Sequence, residues 1–154
     1  MNENTTADNT SSSSSERFDR FVQFIKYCIV GVLNTLVCFG VIYLCKSFFG
    51  LNLYLSNALG YIAGVINSFL CNKSWVFKSK GSYRREAVKF LVGFGVCYLL
   101  QFIVVWMLTE SDFGKIDFRI YHVVISGYGI ATVLGNVVYT LANFVYNRMV
   151  TFRE

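Results

Sequence analysis

Residues 52–78 read NLYLSNALGYIAGVINSFLCNKSWVFK, and this stretch decides the fold. Positions 52–72 hold no charge, and a run of that length makes a helix able to cross about 30 Å of hydrocarbon. Lys73 and Lys78 then bracket Trp75 and Phe77, the composition of a membrane interface. The same ending returns at 147–153 as NRMVTFR, and Leu59-Gly60 stands as far ahead of the first copy as Leu134-Gly135 stands ahead of the second. Val30-Gly31 likewise matches Val92-Gly93, so the chain reads as a duplicated helical hairpin. Working outward, apolar runs at about 22–45, 88–109 and 122–147 join the one at 52–72. The short connection around Lys46 to Gly50 predicts an antiparallel hairpin, whereas the connection from Lys73 to Lys89 is longer and strongly basic. The expected fold is an all-α membrane protein of four transmembrane helices over residues 21–154.

Composition agrees. Of 154 residues, 55% are hydrophobic and only 15% charged, too little polar surface for a water-soluble domain. A net charge of +5 suits loops facing anionic lipid better than nucleic acid, for which no motif is present. The five cysteines, Cys28, Cys38, Cys45, Cys71 and Cys97, lie in or beside apolar runs without metal-ligand spacing, and read as small hydrophobes. Proline is absent, so helix breaks and close helix contacts fall to glycine. Residues 1–20, with five consecutive serines, have almost nothing apolar to bury and read as a disordered cytoplasmic tail rather than a secretory signal.

Eleven of the fourteen Lys and Arg residues lie on one side of these spans: Arg17, Arg20 and Lys26, then Lys73, Lys78, Lys80, Arg84, Arg85 and Lys89, then Arg148 and Arg153. The positive-inside rule therefore predicts both termini in the cytoplasm and a multi-pass protein of the cytoplasmic (inner) membrane. Each half then starts and ends inside, which makes the two hairpins parallel repeats about an axis along the membrane normal.

The segment Phe24-Ile-Lys-Tyr-Cys-Ile-Val-Gly31 with Asn34-Thr35, Asn67, Asn72-Lys73 before Trp75-Val-Phe77, Lys89-Phe90-Leu-Val-Gly93, and Asn143 with Asn147-Arg148 before Phe152 resembles the GtrA-like family of four-helix membrane proteins. The resemblance runs from about Phe21 to the C-terminus. It implies a role in cell-surface polysaccharide or teichoic-acid glycosylation, moving a polyprenyl-phosphate-linked sugar to the outer leaflet beside a polyprenyl-phosphate glycosyltransferase. The second copy departs from the first in having Val150 where Trp75 stands.

Polar residues recur at steps of three and four along the last run, Gly129, Thr132, Asn136, Thr140, Asn143 and Asn147, and so share a helical face. Asn57, Tyr61, Ser68 and Asn72 do the same in the second run. Such residues serve as helix glue in membranes, each bond worth about 0.6 kcal/mol. A stripe at nearly every turn favours a lined pathway, because amides and hydroxyls suit a neutral sugar without burying charge. The candidate sugar contacts are Asn34, Asn67, Gln101, Asn136, Thr140 and Asn143. Candidate lipid-phosphate contacts are Lys26, Lys73, Lys89 and Arg148, one at each cytoplasmic helix end, with Asn72 and Asn147 beside two of them. The lone His122 opens the fourth run on the outer side.

No Asp or Glu falls within the four runs, which argues against a proton- or cation-coupled antiporter. No P-loop, zincin or nucleophile-elbow motif and no glycosidase-like carboxylate pair is present, so neither catalysis nor a cofactor or metal is expected. Two functions remain: a flippase for polyprenyl-phosphate-linked sugar, or a non-transporting membrane scaffold that recruits the glycosyltransferase through the basic middle loop. Four short helices make a thin wall around a pathway, which is compatible with a homo-oligomer.

Overall fold

The computed structural model describes the backbone of residues 4–111, 117–120 and 123–153, and the side chains of 15–111 and 126–153. Helix α1 spans Asn4–Ser47 and α2 Leu53–Cys71. A π-helical turn, Asn72–Val76, continues α2. Helix α3 covers Tyr83–Glu110, an antiparallel pair β1 (Asp117–Ile120) and β2 (Val123–Ser126) follows, and α4 (Gly127–Tyr146) ends in a second π turn, Asn147–Thr151. Four stretches, Ser15–Ser47, Leu53–Val76, Tyr83–Glu110 and Gly127–Thr151, are long and apolar enough to cross a membrane. This is a multi-pass membrane protein.

The Ser-rich segment is helical backbone from Asn4, and two helix starts differ from the expectation. Extending a helix already nucleated by an apolar span adds one backbone bond per residue, so a weak local propensity suffices. Helix α3 starts five residues before position 88 and so takes Glu86 into its first turn. The fourth helix starts at Gly127 rather than 122, because the β-branched Val123-Val-Ile run pairs as strand β2. Ser126 then caps α4, its hydroxyl accepting from the Gly129 N–H at 3.1 Å. Asn52 does the same for α2, its side chain accepting from the Leu55 N–H at 2.8 Å. Gly50, at φ 62°, makes the left-handed turn between α1 and α2 that a side chain would resist. His122 lies outside the described residues.

The chain divides into two compact units, Met1–Ser79 and Lys80–Glu154. In the first, α1 packs on α2; in the second, α3 packs on α4. Several of their internal contacts correspond. Tyr27 meets Phe77 with ring centroids 6.5 Å apart, as Phe90 meets Phe152 at 6.4 Å. Buried Gly60 lies against Cys38 and Ile42, as buried Gly135 lies against Gln101 and Val105. These pairs match Tyr27 to Phe90, Cys38 to Gln101 and Ile42 to Val105. The structural register is thus one residue away from the Val30-Gly31/Val92-Gly93 sequence match. Val30 and Gly93 are the buried positions, whereas Gly31 faces open space.

The glycine spacing in α2 has a testable consequence. A Cβ at Gly60 would stand 2.9 Å from the Cys38 carbonyl, which is backbone and cannot step aside, and 2.5 Å from Ile42. At Gly64 the nearest atoms are 3.6 and 3.7 Å away, an ordinary contact. Gly60→Ala is therefore expected to cost about 1–3 kcal/mol by overpacking. Gly64→Ala should be neutral or gain up to about 1 kcal/mol of helix propensity. Thermal unfolding of the two variants in detergent separates them, and equal midpoints would show that the α1–α2 contact yields.

Candidate functional site

Both hairpins end in the same device. The regular ladder widens, so that the Phe77 N–H reaches the Asn72 carbonyl at 2.9 Å and the Phe152 N–H reaches the Asn147 carbonyl at 2.9 Å. Such π turns occur disproportionately at functional positions. Asn72 and Asn147 are 1% and 0% exposed. Their amide nitrogens are already committed, Asn72 Nδ2 donating to the Ser68 carbonyl at 2.8 Å and Asn147 Nδ2 to Asn143 Oδ1 at 3.3 Å. Asn72 Oδ1, Asn147 Oδ1 and Thr151 Oγ1 are buried with no hydrogen-bond partner. Asn72 Nδ2 also reaches Ser68 Oγ at 3.3 Å, so what Asn72 still offers is an acceptor, whereas Asn147 has a second amide hydrogen and offers both an acceptor and a donor.

The cations differ in disposition. Lys26 Nζ sits 5.8 Å from the centre of the Trp75 ring, a cation–π contact. At the corresponding place in the second unit, Lys89 Nζ donates to the Val150 carbonyl at 3.1 Å. Val150 replaces Trp75, and the lysine that loses its ring takes a backbone oxygen of the same turn. Lys89 is exposed and Lys26 and Arg148 are half-buried, whereas Lys73 is buried and engaged in the fold. Lys26, Lys89 and Arg148 are thus the more accessible partners for an anionic headgroup.

Within the spans, the polar stripe resolves into interhelical amide pairs. Asn67 Nδ2 donates to Asn34 Oδ1 at 2.7 Å, tying α2 to α1. Gln101 Nε2 donates to Asn136 Oδ1 at 2.9 Å, tying α3 to α4. The pairs are not equivalent, since Gln101 corresponds to Cys38, four residues or about 6 Å along the helix from Asn34. Thr132 and Thr140 donate to their own helix, to the Tyr128 and Asn136 carbonyls at 2.8 Å each. Asn143 Nδ2 reaches the Tyr139 hydroxyl at 3.4 Å and so extends the Asn147 ladder upward.

A model of the GtrA/DPMS transmembrane domain matches residues 26–152. The chain belongs to that family. Among curated proteins, this GtrA/DPMS chain is 24% identical over 139 residues to the cell wall teichoic acid glycosylation protein GtcA of Listeria innocua, covering 88% of each chain. It is also 24% identical over 131 residues to the bactoprenol-linked glucose translocase of Shigella phage SfV, covering 85% of this chain and 95% of that one. A shorter match, 33% over 86 residues, joins it to the membrane protein YngA of Bacillus subtilis, covering 51% and 55%. In this GtrA/DPMS domain, Glu86 and Thr151 escape a reading by sequence. Glu86 is 5% exposed, yet its neighbours Arg84 and Arg85 make it look like part of a solvated loop. Thr151 is 1% exposed in the place the first repeat fills with Val76, and that replacement in an otherwise matching motif was its only signal.

Proposed function

We propose that the protein translocates polyprenyl-phosphate-linked sugar across the cytoplasmic membrane, with both termini in the cytoplasm. The observation that carries this reading is the pair of amide bonds, Asn34–Asn67 and Gln101–Asn136, inside otherwise apolar spans. Each pair can exchange a protein hydrogen bond for a sugar hydroxyl without moving a charge into hydrocarbon. At the π-turn end of each unit the accessible cations, Lys26 in the first and Lys89 and Arg148 in the second, are contacts for a lipid phosphate, with buried Lys73 adding positive charge in the first, while the polyprenyl tail stays in lipid. The names of the relatives support the same substrate class, and a translocase rather than a catalyst. The basic residues of the middle stretch of the sequence, Lys78, Lys80, Arg84 and Arg85, serve to dock a polyprenyl-phosphate glycosyltransferase, and the protein works as a homo-oligomer.

Reconstituted vesicles test the function directly. The purified protein is expected to move bactoprenol-linked glucose between leaflets without a second protein, and protein-free rates would return it to the scaffold role. Orientation has its own test. A single cysteine at exposed Ser82, in a background lacking the native five, is expected to react with impermeant label only from the cytoplasmic side. Labelling from outside would invert the topology and remove the headgroup end from the donor leaflet.

A further inference from the structure

Thr151 Oγ1 and Asn147 Oδ1 lie on one π turn, both enclosed and both without a hydrogen-bond partner among the described residues. A buried oxygen left unmatched is unfavourable, and native chains retain few of them. One turn that carries two is therefore a feature with a use. The first repeat carries one, Asn72 Oδ1, because Val76 stands where Thr151 does. The Asn147 amide nitrogen already donates to Asn143 Oδ1, and the two unmatched atoms, an amide oxygen and a hydroxyl, can between them accept from and donate to a hydroxyl partner. The turn also closes the C-terminal end of α4, where the helix dipole disfavours negative charge and favours a hydrogen-bond donor. We infer that Asn147 Oδ1 and Thr151 Oγ1 form a recognition site for hydroxyl groups of the transported sugar, used when the turn opens. This rests on the translocation reading above.

The turn is also tied to α3 by a lysine. Lys89 donates to the carbonyl of Val150, the residue before Thr151, and is itself exposed. A phosphate offers that ammonium a charge-assisted bond stronger than the one to a neutral carbonyl. Capture of the headgroup by Lys89 thus releases the turn and uncovers its two oxygens for the sugar attached to that phosphate.

Thr151→Val is the test, since it removes one partnerless hydroxyl, keeps the shape and gives the second repeat the residue of the first. The assay is transport of bactoprenol-linked glucose, and of its monodeoxy-glucose analogues, by the full chain in proteoliposomes. The variant is expected to unfold at the wild-type temperature or above, because no resting hydrogen bond is lost. Its transport of the glucose lipid is expected to fall between about fivefold and a hundredfold. Thr151→Ser should restore it. For one deoxy analogue the wild type should be as slow as the variant, which identifies the hydroxyl that Thr151 reads. Wild-type transport by Thr151→Val would overturn the site and leave translocation standing. An equal loss on every analogue would also overturn it, by showing a structural role. A wild-type protein that moves no glucose lipid would overturn the translocation reading and the site with it.

Discussion

Changing Lys89 and Arg148 together to Gln is expected to slow translocation of lipid-linked sugar by about two orders of magnitude. Each residue belongs to, or is bonded to, the second π turn, Arg148 within it and Lys89 through the Val150 carbonyl. A charge-assisted hydrogen bond contributes about 1.5–3 kcal/mol, so losing two from one phosphate gives at least this much in rate. Neither side chain is buried, and neither forms a salt bridge among the described residues, so the fold should survive. Folded yield and unfolding temperature provide that control. Lys89→Arg, which keeps the charge, should retain most of the rate. A double variant that transports normally would mean that these cations serve only topology and the Val150 contact.

The legible part of this molecule was its apolar spacing. Four apolar runs, each with Lys or Arg at or near one end, located all four spans, because lipid allows few other ways to satisfy a long apolar backbone. The duplicated Asn-Lys/Arg ending was also readable, and both copies fold into the same π turn. What escaped was whatever depends on distance rather than on composition. Val123-Val-Ile reads as a membrane helix by hydropathy, yet pairs as a strand, since hydropathy does not separate the two for so short a run. The repeat register slipped by one because Val-Gly matched Val-Gly by identity, whereas packing matched buried Val30 to buried Gly93. The asparagines looked alike as donors and acceptors. Only their partners show that Asn34 and Asn67 satisfy each other while Asn72 and Asn147 keep an oxygen unmatched.

The amide pairs allow the transport and packing roles to be separated. Asn67→Leu leaves Asn34 without its 2.7 Å partner inside a membrane span, and is expected to lower stability by about 0.6 kcal/mol and by no more than about 1.7. Adding Asn34→Leu removes the orphan and replaces both amides with lipid-compatible bulk, so the double variant should regain most of that loss. Transport is expected to follow a different course. If a sugar hydroxyl exchanges with this pair on its way through, both variants deny it a partner, at about 1–3 kcal/mol, and both should be slower by about fivefold to a hundredfold. Stability then recovers in the double variant while transport does not. Recovery of both together would make Asn34–Asn67 an interhelical bond alone, and the passage of the sugar would have to be sought at Gln101 and Asn136, where the same cycle applies to α3 and α4.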